Sequence, residues 1–174
     1  LVDTIRSSGG TALAMQSDLS DASSAISLVQ RAGAESALGG IVNNASMFVH
    51  DDLDSVDTEG WDAHMDVHAR SPMLMIRALS QQRADDGRQL VVTVSDQKIA
   101  APNPDHLSYT ASRYAMPGPP DALARRLAPR IRVNAVAPGH TLPPSLIHPP
   151  RRRRRGKCSP PWTPSHSNTQ PTSS

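Results

Sequence analysis

Two hydrophobic periods alternate along the chain. Val91-Val92-Thr93-Val94 is a β-branched run that gives way to Ser95 and Asp96. That is the pattern of a buried strand reaching the carboxyl edge of a sheet, where open α/β sheets place their ligands. Gly39 to Ser46 has the same form, a short apolar run closing in small polar residues, and Ile131 to Ala137 repeats it. Helical patterns separate these runs. Leu1 to Ser8 is short and amphipathic, and Gly9-Gly10 ends it. Thr11 to Gln16 predicts a further short strand, closed by Ser17 to Asp21. Ser20 or Asp21 then caps a helix whose apolar stripe is Ala25, Ile26, Leu28, Val29 and Ala32. Thr58 to Gln82 predicts the longest helix, kinked or divided by Pro72. The helix around Tyr109 is expected to break at Met116 to Pro120, because an interior proline removes a helix bond and clashes with the preceding turn. It should restart at Asp121 as N-cap and run through Leu127. Strands alternating with helices predict an α/β fold with a parallel sheet.

The candidate chemistry lies just after the central strand. Tyr109 and Arg113, four residues apart, share one helix face. A cation there stabilises a phenolate, a phenol of lowered pKa is a usable general acid or base, and a carboxyl group within reach shares its proton. A solvated arginine beside a packed tyrosine fits the same spacing. His64 and His68 stand at i, i+4 but lack a carboxylate or third ligand at a recognisable spacing, so no metal site is expected. The serines lack a nucleophile-elbow context.

Tyr109-Thr110-Ala111-Ser112-Arg113 resembles the Tyr-x-x-x-Lys hallmark of the short-chain dehydrogenase/reductase family, with Arg in place of Lys. The family's catalytic serine, thirteen positions earlier, falls on Asp96, as in its pteridine reductase-like branch; Asp96-Gln97-Lys98, Asn103-Pro104-Asp105 and Ser108-Tyr109 are similar to that branch. Asn43-Asn44-Ala45-Ser46 resembles the Asn-Asn-Ala-Gly motif, and Arg132-Val133-Asn134 with Pro138-Gly139 resembles the strand and turn of Arg-Val-Asn-x-x-x-Pro-Gly. The resemblance implies a Rossmann-type doubly wound parallel sheet over residues 1–145, lacking its first strands. It implies NAD(P)-dependent hydride transfer with Tyr109 as proton donor, Asp96 its partner and Arg113 the cation that holds the ribose and lowers the tyrosine pKa. The substrate would be a small molecule, a pteridine or a carbonyl compound. The implied cofactor contacts are Asp18, Leu19, Asn44, Ala45, Ser46, Tyr109, Arg113, Pro138, Gly139 and Thr141. NADP is implied by the branch and NAD stays open, since the selecting residues follow a strand not present here. The family's catalytic asparagine, which supports a proton-relay water, is replaced by His68, which either holds a water or faces solvent. The resemblance also implies that the helical region 58–82 could serve as a homo-oligomer interface, as it often does in the family.

Composition modifies this picture at both ends. The chain has 174 residues, one cysteine, five aromatic residues and a net charge of +2. One cysteine excludes an internal disulfide framework and a cysteine-based zinc site, and is compatible with the cytoplasm. No apolar run approaches the ~20 residues of a membrane span. The start at Leu1, with neither a signal-peptide pattern nor an initiator Met, is expected to lie mid-domain, and the resemblance implies that the first strand and its Thr-Gly-x-x-x-Gly-x-Gly phosphate loop, which occurs nowhere in the sequence, would precede it. From Pro143 onward Arg151 to Arg155 and Lys157 give six positive charges and no acid, which leaves residues 1–142 at −4 within the total of +2. Residues 146–174 form a basic, Pro- and Ser-rich tail, expected to be disordered. It reads either as the product of a shifted frame or as a real basic tail. Two further functions stay open: a catalytically inactive fragment of such an enzyme, and polyanion binding through the arginine run. Trp162 is the lone aromatic near that run and forms no stacking platform for nucleic acid.

Overall fold

The computed structural model describes residues 1–82, 87–116 and 118–139, and for 118–120 the backbone alone. The expected disordered tail, and Thr141 with it, lies outside the described residues. The elements in order are α1 (Val2–Ser7), α2 (Ala22–Glu35), β1 (Gly40–Asn43), α3 (Thr58–Met65), a π-helical segment (Asp66–Arg70), α4 (Ser71–Ser80), β2 (Gln89–Val94), a 3₁₀ turn (Gln97–Ile99), α5 (Leu107–Ala115), α6 (Gly118–Leu127) and β3 (Ile131–Val136). The sheet runs β1-β2-β3, parallel throughout. Parallel neighbours need crossover connections, and the helices between the strands supply them. Gly40 is required where it stands, because a side chain there would run into the Leu90 carbonyl oxygen of β2.

The core lies against one face of this sheet. Val91, Ile131 and Val133 of the strands pack with Val29 of α2 and with Ile76 and Leu79 of α4, and Leu123 and Leu127 of α6 close the edge. The apolar stripes of α2 and α4 meet in this cluster, which is why both patterns are legible at helical period. β1 is half-buried rather than buried: Ile41 packs inward while Val42 is 65% exposed.

Three boundaries differ from the sequence pattern. Thr11–Gln16 forms no strand; a strand persists through its ladder, and among the described residues no strand lies beside this segment. The long helix is divided, as Pro72 requires, but the break lies in the turn ahead of it. There the backbone widens into the π segment, whose cap bond runs from the Ser71 N–H to the Asp66 carbonyl, and Pro72 sits in the first turn of α4. α6 begins at Gly118, three residues before the expected cap, because Pro119 and Pro120 fall in the first turn, where a helix N–H has no partner to lose; Asp121 lies inside that turn. Asp21, not Ser20, caps α2, accepting from the N–H groups of Ser23 and Ser24.

Leu79→Ala is expected to cost about 2–5 kcal/mol in urea unfolding, since Leu79 is fully enclosed by the core. Val42→Thr on the exposed side of β1 should shift stability by less than about 0.5 kcal/mol. Equal losses in the two variants would contradict this placement of the core.

Candidate active site

The parallel register sets the ends of all three strands level. Asn43 pairs with Thr93, and Val94 with Val136. Asn44-Ala45-Ser46, Ser95-Asp96 and Ala137-Pro138-Gly139 therefore leave the sheet along one edge. α5 packs against α3 and the 3₁₀ turn beside this edge, and the face it buries is polar: Ser108, Tyr109, Thr110, Ser112 and Arg113.

Tyr109, buried, donates its phenolic proton to Asp96 Oδ2 at 2.5 Å. Burial raises the Tyr109 pKa above its ordinary value, and the bond to the Asp96 carboxylate raises it further; Arg113 works in the opposite direction and is outweighed. The sequence spacing accounts for the Arg113 contribution with its correct sign, whereas the net shift belongs to the burial and to Asp96, neither of which the spacing reveals. For Asp96 burial acts upward, but the hydrogen bonds from Tyr109 and from the Lys98 N–H, with the charges of Arg113 and Lys98, hold its pKa below the usual carboxylate value. At neutral pH the pair is thus a protonated phenol on an ionised carboxylate.

Arg113 is buried and held at two points. Nη1 donates to the Val94 carbonyl at 3.2 Å and Nη2 to Ser46 Oγ at 2.5 Å, with the guanidinium carbon 4.9 Å from the Tyr109 ring centre. The guanidinium thus adds a cation–π contact to the tyrosine. The Lys98 ammonium lies 5.5 Å from the same ring and 5.4 Å from that of Phe48. Phe48 meets Tyr109 edge-on and stacks on His106, which takes a left-handed backbone at φ 62°.

His64 and His68, only 1% and 2% exposed, form two matched rungs between α5 and the segment after β1. His64 Nε2 accepts from the Val49 N–H at 3.3 Å, and its Nδ1 meets Ser108 Oγ at 2.7 Å. His68 Nε2 accepts from the Met47 N–H at 3.0 Å, and its Nδ1 meets Ser112 Oγ at 2.7 Å. With Nε2 an acceptor in both, the partners assign the proton to Nδ1. The first rung ends on Asp51, which accepts from Ser108 Oγ and from the Ser108 N–H and so caps α5. The second ends on the Tyr109 carbonyl, to which Ser112 Oγ donates at 2.7 Å. Burial lowers both histidine pKa values, that of His68 to about 3 with the help of the Arg113 and His64 charges. His68 is therefore buried and neutral rather than facing solvent.

The sequence-predicted residues divide accordingly. Asp96, Tyr109, Arg113 and Ser46 come together. Asn44, Ala45, Pro138 and Gly139 are exposed at the ends of β1 and β3. The Asp18 carboxylate accepts from the N–H and hydroxyl of Ser20, and the Leu19 carbonyl accepts from Ser71 Oγ at 2.6 Å, which ties their turn to the start of α4. Sequence reasoning missed Phe48, Asp51, His64, Lys98, Ser108 and Ser112. One signal was present: two histidines at i, i+4 and two serines at i, i+4 are the spacing of two helices bridged rung by rung.

A family model described as enoyl-(acyl carrier protein) reductase, adh_short_C2, matches residues 1–172. The chain belongs to the short-chain dehydrogenase/reductase family. An uncharacterized oxidoreductase of Methylorubrum extorquens is 30% identical over 144 residues, 82% of this chain and 57% of that protein. A dihydromonapterin reductase of Klebsiella pneumoniae is 26% identical over 140 residues, 79% of this chain and 58% of that protein. Among solved structures, the FolM alternative dihydrofolate reductase 1 of Brucella suis in complex with NADP is similar at 38% identity and a TM-score of 0.74, over 82% of this chain and 59% of that one. The chain spans between half and two thirds of the length of these relatives. No helix among the described residues is long and apolar enough to cross a membrane, and none of their His, Cys, Asp and Glu side chains group into a metal site.

The sign of the histidine shifts makes this family member acid-sensitive. Unfolded histidines take up protons near pH 6.5, whereas folded His68 resists down to about 3. The unfolded state thus binds more protons in that window, and stability present above about pH 6.5 is lost as pH falls towards 3. The urea midpoint should decline from about pH 7 to about pH 4, and the paired variant His64→Gln/His68→Gln should flatten the decline. A midpoint that is unchanged or higher in acid would contradict the buried neutral pair.

Proposed function

We propose that the chain carries the catalytic half of an NADP-dependent reductase acting on a small molecule of the pteridine or carbonyl class. The hydrogen bond from Tyr109 to Asp96 carries this reading. The phenol is protonated at neutral pH and held in place by the carboxylate, so it has a proton to give in the direction of reduction; its raised pKa makes it a weaker acid than a free tyrosine, and the Arg113 charge works against that rise. Similarity to a dihydromonapterin reductase and to an NADP-bound alternative dihydrofolate reductase supports the substrate class and the cofactor.

The donor set fits the nicotinamide and ribose half of a dinucleotide. Arg113 Nε is buried without a hydrogen-bond partner among the described residues, and small residues at Ala45 and Gly139 allow close backbone approach where the strands end. Tyr109 and Arg113 would hold the ribose, Asn44 to Ser46 and Pro138 to Gly139 would line the nicotinamide, and Asp18 with Leu19 would meet the adenine. When bound, the cofactor supplies the hydride. Tyr109 supplies the proton, Arg113 offsets the phenolate charge left behind, and Asp96 keeps the resting phenol protonated and oriented. Arg113 retains the charge of the family's lysine but spreads it over a planar fork, and its bonds to Val94 and Ser46 fix that fork.

A second reading is favoured by the lack of a glycine-rich phosphate loop in the sequence. Such a loop presents N–H groups and a helix N-terminus to the pyrophosphate. In that reading this chain by itself does not retain the dinucleotide, and the site functions only with a phosphate-binding segment supplied beside it.

Calorimetry of NADPH and NADH with the folded chain separates the two. Saturable binding with preference for NADPH is expected on the first reading, and no binding by a chain with a folded circular dichroism spectrum on the second. With binding in hand, Tyr109→Phe should lower NADPH-dependent reduction of a dihydropterin by at least about 10²-fold while leaving NADPH binding intact. Full activity in that variant would reject Tyr109 as the proton donor.

A further inference from the structure

Two rungs of identical construction join α5 to the segment after β1, but they end on different groups. The His64 rung runs through Ser108 to Asp51, the carboxylate that caps α5. The His68 rung lies where Ser46 also reaches it, with Ser46 Oγ 3.3 Å from His68 Nε2. Ser46 Oγ in turn accepts from Arg113 Nη2 at 2.5 Å. The bond from Arg113 uses one of the two lone pairs of Ser46 Oγ and leaves the hydroxyl proton two acceptors in reach, His68 Nε2 at 3.3 Å and the Met47 carbonyl at 3.4 Å, of which the histidine is the nearer. Ser112 Oγ returns the path to the Tyr109 backbone. The hydrogen bonds thus form a ring, Ser46 to His68 to Ser112 to α5 to Arg113 and back to Ser46, and the Tyr109 ring is packed against it, 5.3 Å from His68 and 4.9 Å from the guanidinium carbon.

We propose that His68 and Ser46 are positioning residues: the neutral imidazole orients the Ser46 hydroxyl so that its oxygen holds the Arg113 guanidinium over the Tyr109 ring. This rests on the reading of Tyr109 as proton donor, which makes the place of its cation matter. The imidazole suits the task because it accepts at one nitrogen and donates at the other, so a single ring fixes both the strand-end segment and α5. A charged imidazole would turn Nε2 into a donor facing two donors, the Met47 N–H and the Ser46 hydroxyl, and would release Arg113. The widened backbone of the π segment, one turn ahead of Pro72, carries the imidazole. His64, on the same face one turn earlier, leads to the helix cap instead.

The test uses the full chain without cofactor, so it stands or falls separately from turnover. Nuclear magnetic resonance follows the Arg113 guanidinium, displaced upfield by the ring current of Tyr109, and the titration of Tyr109, distinguished from the chain's other tyrosine by Tyr114→Phe. Asp96 and Lys98 from the turn after β2, His64 and His68 from α3 and the π segment, and Arg113 from α5 are the charged and titratable groups facing that phenol. Ser46→Ala and His68→Phe should both abolish the ring-current displacement and move the Tyr109 titration upward by about half a unit or more, because the cation that opposes the rise has left. His68→Gln, which keeps one donor and one acceptor, should restore part of both signals, and His64→Phe should change neither. Ser46 is exposed and loses only a hydroxyl in Ser46→Ala, so the test survives a folding defect in His68→Phe. A wild-type Arg113 signal or Tyr109 titration in Ser46→Ala, or equal changes in His64→Phe, would overturn the proposal.

Discussion

A helix that buries a polar face must satisfy it, and the architecture around α5 follows from that constraint. An unpaired buried hydroxyl or amide costs on the order of 1–3 kcal/mol and a buried charge more, so the inward groups of α5 call for partners on other elements. Asp51 meets Ser108, Asp96 meets Tyr109, His68 meets Ser112, and Val94 with Ser46 meets Arg113, while Thr110 Oγ1 and Arg113 Nε have no hydrogen-bond partner among the described residues. These partners come from three separate stretches: the segment after β1, the end of β2, and the α3–π–α4 helical column. Apolar packing on the sheet brings those stretches close, but it is the hydrogen bonds that select one position of α5 along the edge. Apolar contacts tolerate sliding, whereas a donor moved by an ångström loses its acceptor.

Electrostatics at the site follows from the same arrangement. Arg113 and Lys98 are two cations beside one phenol, yet the phenol is harder to ionise than a free tyrosine, because burial and the bond to an ionised carboxylate outweigh the Arg113 charge. Asp96 stays ionised against its own burial through the hydrogen bonds from Tyr109 and the Lys98 N–H, with the two cations adding to them. A site built this way keeps a proton on oxygen next to a carboxylate that orients it, with positive charge close by. Neutral histidines complete the enclosure. They contribute rings and hydrogen bonds without adding charge, which a charged residue at the same depth could not do without a further counterion.

The strand ends are the second organising feature. Parallel pairing in level register places three loop starts side by side, so residues some fifty positions apart in sequence become neighbours along the edge, as Asn43 and Thr93 do directly. Small residues follow β1 and β3 at that edge, whereas the end of β2 carries the carboxylate. The half-buried β1, with Val42 open on its outer side, shows how far a parallel sheet's burial depends on neighbours to either side.

The strands, the helices and the pairing of Tyr109 with Asp96 were legible in the residues themselves. Period-2 and period-3.6 patterns, the punctuation by Gly and Pro, and the resemblance of Tyr109 to Arg113 and of Asn43 to Ser46 to family motifs are all properties of adjacent or regularly spaced positions. Failures occurred where a local pattern needed a distant partner. Thr11–Gln16 has strand composition but no ladder, the π segment lies in the turn ahead of Pro72 and not at the proline itself, and the start of α6 depends on which helix N–H groups are already unpaired. The histidines show the limit most clearly. A histidine in a sequence is equally a ligand, a base or a surface residue, and its charge state is decided by desolvation and by the donors that face it. Only the tertiary structure places Met47, Val49, Ser108 and Ser112 around His64 and His68, and so only it decides that both are neutral struts. The sequence by itself determined which groups could do chemistry, because reactivity belongs to residue type and short spacing. The fold decided which of them are buried together and which way each proton points, because both are set by contacts between segments far apart in the chain.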